Sequence, residues 1–236
     1  MNTLNTKEKI KNTFIRFIYK LIPQDAVNPL ITELKSYLGR TFSSPLQVNP
    51  TDNNFFNFGC GQVPLKGFIN VDFYSFFGNS NLDYQTDFRY PLNVAEEVAD
   101  GIFTEHMVEH LSYKEAQLFF SECHRILKVG GVLRVVCPDV SKFIAAYCDP
   151  NTHASFLRSE APLVTTPMEA LSDITQNWKH RSAWDFETMA HYLKKSGFSS
   201  VKHCSFKEGS LEILLVDLEA RKVQSLYVEA VKTEDD

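Results

Sequence analysis

Four groups of side chains in this sequence have the types and spacing to do chemistry. The first is NFGCGQ, residues 57–62, in which Gly59 and Gly61 close a short apolar run. Glycine at such a turn admits positive φ and lets a ligand approach the backbone with no Cβ between them. The second is Asp72, the last residue of FINVD, where a strand-end carboxylate can accept both hydroxyl protons of a ribose. A solvated strand-end Asp is the plainer alternative. The third is Asp87 with Phe88, a pair able to meet an adenine, the carboxylate accepting from the exocyclic amine and the ring or backbone flanking the base. A turn Asp ahead of Arg89 and Pro91 fits the spacing as well. The fourth, EHMVEH at 105–110, admits two chemistries. As H-x-x-E-H, His106 and His110 would share a helix face and Glu109 would be the base of a zinc hydrolase, with Glu187 as a third ligand. In the other reading His106 faces a reaction centre, suited to take a proton from an attacking hydroxyl. His110 is then structural or on the acceptor side. The motif follows a strand instead of lying inside a long helix, so the second reading is preferred and no metal is expected.

The elements that would carry these groups alternate. Apolar runs at 55–58, 68–71, 82–86, 99–104 and 132–137 read as strands. Between the last two, Ser112 and Glu115 form an S-x-x-E capping box. Ala116, Phe119, Phe120, Ile126 and Leu127 line one face of the helix that follows, and Gly130-Gly131 ends it. Strand, helix, strand at that spacing is a parallel crossover, so the sequence predicts an α/β domain with a Rossmann-like, mostly parallel sheet. A second capped helix starts at Asp185, with Phe186, Met189, Ala190 and Leu193 inward, and stops at Gly197. Segments 200–206, 211–217 and 224–231 read as strands closing the sheet in an antiparallel hairpin. Ahead of this domain, taken as 49–236, residues 1–48 form a helical segment. Ile10, Phe14, Phe17, Ile18, Leu21 and Ile22 share one helical face up to Pro23. Val27, Leu30, Ile31, Leu34 and Leu38 share another up to Gly39. These helices read as a cover on the domain or as a basic membrane-surface contact.

Composition narrows the class. Residues 1–45 hold seven Lys/Arg against three acids, net +4, which leaves −9 for the rest of a chain of net charge −5. An acidic main body is a poor platform for nucleic acid. Five cysteines, Cys60, Cys123, Cys137, Cys148 and Cys204, with no CxxC pair, argue against a disulfide framework and a cysteine zinc site. No apolar run approaches the roughly 20 residues of a membrane span, and the early lysines precede no secretory-type apolar core. A cytoplasmic location is expected.

Taken in order, NFGCGQ, INVD, TDFRYPL, EHMVEHL, ECHRILKVGGVLRVVCPD and SGF resemble the class I S-adenosylmethionine-dependent methyltransferases, type 11 group. The likeness runs from about residue 54 to 139 and more weakly into the final strands. It implies that Gly59 and Gly61 border the methionine part of the cofactor, Asp72 the ribose, and Asp87 and Phe88 the adenine, with His106 beside the sulfonium as the catalytic residue. Asn57, Cys60, Phe73 and Glu105 complete the implied cofactor wall. His110, Asp139 (after Pro138), Tyr147, His180 and Trp184 fall to the acceptor side, within or beside a lid at 140–184. The implied acceptor is a small molecule or glycan, methylated on O or N, as in polysaccharide or secondary-metabolite pathways, by an enzyme that could be a homodimer. Two departures stand out. Asn57 occupies a position where many members carry an acid. Only thirteen positions separate Gly59 from Asp72, too few for a full first helix, so the N-terminal helices are expected to cover that flank. A methyltransferase-like module that binds without turnover is the main alternative. A nicotinamide enzyme fits less well, because the GxG lacks a third glycine and a following helix.

Overall fold

A computed structural model describes residues 24–74, 82–149 and 166–236. The amphipathic pattern at 5–22 lies outside these residues. Its core is a seven-stranded sheet, β1 (Phe55–Phe58), β2 (Ile69–Asp72), β3 (Tyr84–Gln85), β4 (Ala99–Glu105), β5 (Leu127–Pro138), β6 (Ser200–Cys204) and β7 (Ser225–Val231), in the order β3-β2-β1-β4-β5-β7-β6. The first five strands pair in parallel, and β7 lies antiparallel between β5 and β6. The predicted α/β sheet with its antiparallel end is therefore present. Side chains alternate across it. Phe56, Phe58, Leu133 and Val135 face one core with Phe119, Phe120 and Leu193, while Phe103, Val132 and Val136 face a second with Leu214 and Tyr227.

The first core is built as the sequence dictates. Helix α2 (Tyr113–Ile126) starts from the Ser112–Glu115 capping box, and α5 (Phe186–Lys195) starts from Asp185, which accepts from the Thr188 amide. The end of α2 differs from expectation. The helix stops at Ile126, and β5 begins at once, carrying Gly130 at φ +82 through an irregular stretch before regular pairing resumes at Val132. The glycine pair bends a strand and does not cap a helix.

The second core has a cover that the sequence does not announce. No helix forms between β1 and β2. A turn joins them, and Asn70 stitches it, accepting from the Leu65 amide and the Asn57 side chain while donating to the Leu65 and Phe68 carbonyls. Among the described residues, the flank left bare is covered by the β6–β7 connection, whose Leu211 and Leu214 pack on Gly101, and not by residues 24–42. The expected strand at 211–217 is instead a 3-10 turn, Glu212–Leu214, because the segment must cross the sheet face. Arg134, fully buried on β5, pins it. Its guanidinium donates to both Asp217 carboxylate oxygens, to Glu229, and to the carbonyls of Ser205 and Glu208.

The N-terminal helix α1 (Gln24–Phe42) packs elsewhere and in another orientation than its apolar spacing predicts. Its polar side faces the body: Ser36 donates to Asp87, Glu33 pairs with Arg89, and Arg40 sits 3.6 Å over the Tyr90 ring. Gly39 is not a stop. A Cβ there would lie 2.4 Å from the Tyr74 ring, so glycine permits a close approach and the helix runs on to Phe42. Leu30 and Leu34 are exposed as a result. No described helix is long and apolar enough to cross a membrane.

Candidate functional site

Parallel strands deliver their loops to one sheet edge, and the candidate residues gather there. Gly59 leaves β1 at φ +74 with its amide on the Val71 carbonyl, and a Cβ would strike Met107. Gly61 follows at φ +55 with open space where a Cβ would be. Its amide donates to Asp72 Oδ2 at 2.5 Å, and the Phe73 amide donates to Oδ1 at 2.6 Å. The glycine turn and the β2 carboxylate are thus one unit.

Beside them is a cavity of about 170 Å³, lined by Asn57, Gly59, Cys60, Gly61, Glu105 and His106, with Leu218 and Arg221 opposite. Asn57 is buried and tied to Asn70. Burial, then the Asp72 charge, pushes the Cys60 thiol up to about 11, which keeps it a neutral thiol. Burial raises the Glu105 carboxyl, while the Leu218 amide and the Arg221 charge oppose that shift. Arg221 also lies close enough to His106 and Glu109 to act on both. Its role was invisible in the sequence. It sits more than a hundred residues beyond Glu105, in a segment without a motif, and reaches the site only through the β6–β7 connection.

Several expected residues land elsewhere. Asp87 is buried, but its oxygens accept from Arg89 through Nε, Nη2 and the amide, and from Ser36. Desolvation alone would raise its carboxyl; those hydrogen bonds overcome it and hold it below the usual range. Phe88 packs its ring between Phe58 and Phe119 in the first core. Neither side chain lines the cavity. Asp139 caps helix α3 (Val140–Cys148), accepting from the Ser141 amide and hydroxyl. Trp184 is a buried core residue against Tyr113, Phe120 and Tyr192. Tyr147 is on the exposed side of α3. The expected lid is described only as α3 and α4 (Pro167–Gln176) with the segment after it; residues 150–165 lie outside the described set.

The EHMVEH motif forms no long helix. Val108–His110 is a single 3-10 turn, and His106 precedes it at φ +52, so the two histidines do not share a helix face. His106 Nε2 lies 2.9 Å from Ser225 Oγ and Nδ1 lies 3.4 Å from Glu109. Burial first, then the Arg221 charge, pushes His106 down to about 3. The ring is neutral, and its proton affinity is far below the near-neutral value expected of it. Glu109 is fully buried, and burial pushes its carboxyl up to about 8. His180 joins this group from a distant segment of the chain, with Nε2 4.0 Å from Glu109.

Residues 77–135, well under half of the chain, match the family model described as a methyltransferase domain. No curated protein matches the sequence. Among solved structures, a SAM-dependent methyltransferase from Archaeoglobus fulgidus is 18% identical, covers 85% of this chain and 94% of its own, and gives a TM-score of 0.46. A possible histamine N-methyltransferase from Thermotoga maritima is 14% identical over 92% of this chain and 99% of its own, with a TM-score of 0.48. Phosphoethanolamine N-methyltransferase 2 of Haemonchus contortus, in complex with S-adenosylmethionine, is 14% identical over 84% of this chain, with a TM-score of 0.47. The match spans 51% of that protein. The matched family segment lies within a Rossmann-like sheet whose strand order and antiparallel β7 are those of the class I S-adenosylmethionine-dependent methyltransferase fold. S-adenosylmethionine is the cofactor of that class.

Proposed function

We propose that this chain transfers the methyl group of S-adenosylmethionine to a hydroxyl or amine of a small-molecule or glycan acceptor. The observation that supports it most is the union of the glycine turn with Asp72 beside a cavity holding both a carboxylate and a guanidinium. The residues present fit the cofactor's chemistry. The cavity is below the ~300 Å³ lower end for sites that enclose a drug-sized ligand, so it suits the amino-acid end, with the nucleoside along the Asp72 rim. Glu105 would meet the ammonium where Asn57 replaces the more usual acid, Arg221 would meet the carboxylate, and Asp72 would hold the ribose hydroxyls.

The bound cofactor supplies an electrophilic methyl carbon open to in-line displacement. What the chain must add is alignment and exclusion of water. Gly59 and Gly61 bring backbone within reach, and Met107 closes the turn from behind. His106, anchored on Ser225, presents a neutral ring to the cavity wall. A non-catalytic binding module is the second reading, favoured by the small cavity and by the engagement of Asp87 with Arg89. Calorimetry with S-adenosylmethionine, its demethylated product and NAD tests the first step: both sulfur ligands should bind and NAD should not. Release of the demethylated product with a mixed hydroxyl and amine acceptor panel then separates the enzyme from the module. Binding of NAD in place of the sulfur ligands would overturn the proposal.

A further inference from the structure

We propose that Glu109, His110 and His180 form a binding site for a divalent transition metal ion of the zinc type. One ligand atom from each lies within 4.8 Å of the others, and among the described residues this is the group of its kind. Ligands about a filled tetrahedral zinc stand about 3.3 Å apart, from metal–ligand bonds near 2.0–2.1 Å. Small side-chain rotations would therefore close the group around an ion. The set is not the one that H-x-x-E-H spacing suggests. His106 keeps its Nε2 on Ser225, and His180 comes in from seventy residues after His110.

The second observation is the state of Glu109. The side chain is buried, and neither carboxylate oxygen has a hydrogen-bond partner. The nearest ring nitrogens stand at 3.4 Å on His106 and 4.0 Å on His180. A buried carboxylate without donors is costly unless it is neutralised by a proton or a cation. The histidines are prepared for a cation. His180 Nδ1 lies 2.7 Å from the Ile174 carbonyl, which assigns its N–H to that side and leaves Nε2, the nitrogen facing Glu109, with a free lone pair. The His110 ring hydrogen-bonds the Lys179 backbone and meets the His180 ring edge-on at 5.0 Å. Such backbone partners are the usual means of orienting metal-bound imidazoles.

The backbone agrees. Trp178 and Lys179, immediately before His180, hold left-handed φ values of 58° and 65°. Such a conformation is unfavourable for a non-glycine residue and persists only where its surroundings fix it. Here the following amides of Arg181 and Ser182 both donate to the Glu109 carbonyl, clamping the strained segment onto the motif. Three protein ligands of this N and O type leave one coordination position for water or a substrate oxygen. This site does not depend on the methyl-transfer reading.

The test uses the full chain stripped of metal, titrated with ZnCl2 by calorimetry and with CoCl2 by visible absorption. One equivalent should bind with a Kd of about 1 μM or tighter, and cobalt should give the intense bands of a tetrahedral site. His110→Asn and His180→Asn should each weaken binding by roughly 100-fold, at or beyond the upper end of losses seen for outer-shell partners. Glu109→Gln should also lose the site. If that variant fails to fold, His110→Asn, at a solvent-accessible position, decides alone. Absence of stoichiometric binding, or unchanged affinity in both histidine variants, overturns the proposal. Binding of the demethylated cofactor, measured on the same preparation, reports separately on the methyltransferase reading.

Discussion

The backbone amide of Gly61 donates to the carboxylate of Asp72 across eleven residues, locking the turn after β1 to the end of β2. The same carboxylate accepts from the Phe73 amide, so its orientation is fixed before any ligand arrives. A carboxylate has about four acceptor positions, and two amides leave room for a pair of hydroxyls. Asp72→Ala should weaken binding of the demethylated cofactor by roughly 10- to 100-fold, the loss of one hydrogen-bonded charge at about 1.5–3 kcal/mol. Calorimetry measures it, and circular dichroism confirms that the sheet persists. Parent-like affinity would remove Asp72 from the site.

Gly59 and Gly61 look alike in sequence but should respond differently to the same change. Both have positive φ, yet a Cβ on Gly59 would lie 2.4 Å from Met107 while one on Gly61 meets nothing. Gly59→Ala should cost about 1–3 kcal/mol from backbone strain, with overpacking against Met107 added to it. Gly61→Ala should cost only the strain. Urea denaturation of the two variants, with Gly59→Ala in a Met107→Ala background, tests the difference. The background change should return part of the loss in the first variant only.

Most of the sheet was legible because each strand is a short apolar run bounded by turn residues, and both capped helices carry their start signals in local sequence. The misreadings have one cause in common: tertiary partners outweighed local pattern. Gly39 resembles a helix stop until Tyr74 is placed against it. The leucines of α1 resemble a buried face, but Ser36 and Glu33 find Asp87 and Arg89, and these polar bonds set the rotation of the helix. Segment 211–217 has strand-like composition, and Arg134 pulls it across the sheet instead. The meeting of Gly59, Gly61 and Asp72 at one sheet edge was readable from their positions at strand ends. Arg221 was not, and neither was the meeting of His180 with Glu109, because both depend on contacts between distant segments.

Asp87 gives a pH dependence of definite sign. Burial raises its carboxyl, but the Arg89 and Ser36 hydrogen bonds prevail and hold it below 3.8 in the folded state. Arg89, which is shared with Glu33, favours the ionised form by its charge as well as its hydrogen bonds, and Arg40 bonds Ser36, the other side-chain donor to Asp87. A carboxylate whose folded value is depressed contributes its full stability above the unfolded value, near 3.9. It loses that contribution as pH falls through the folded one. The parent should therefore lose stability from about pH 4.5 downward. Asp87→Asn should be less stable at pH 7 and show a flatter profile across the same window. Thermal melts from pH 7 to pH 3 check both statements. A variant profile parallel to the parent's would mean that Asp87 does not titrate with folding.

The connection that replaces the missing helix depends on one buried cation. Arg134 is fully buried in the middle of β5, its charge held by Asp217 and Glu229, themselves buried. Desolvation disfavours the guanidinium charge, and the Asp217 hydrogen bonds more than restore it. Arg134→Met leaves two carboxylates buried without a cation. Breaking such a pair from one side typically costs about 3–5 kcal/mol, which should appear as a lower urea midpoint. Replacing the charge and both its partners together, as Arg134→Met with Asp217→Leu and Glu229→Gln, should recover much of the loss, since uncharged side chains fill the same space without the desolvation penalty of buried ions. The single variant should also lose cofactor affinity. The segment that Arg134 anchors carries Leu218 and Arg221 to the cavity, so freeing it unfastens one wall of the site. An unaltered affinity in Arg134→Met, measured where the protein remains folded, would show that this wall holds its place without the anchor.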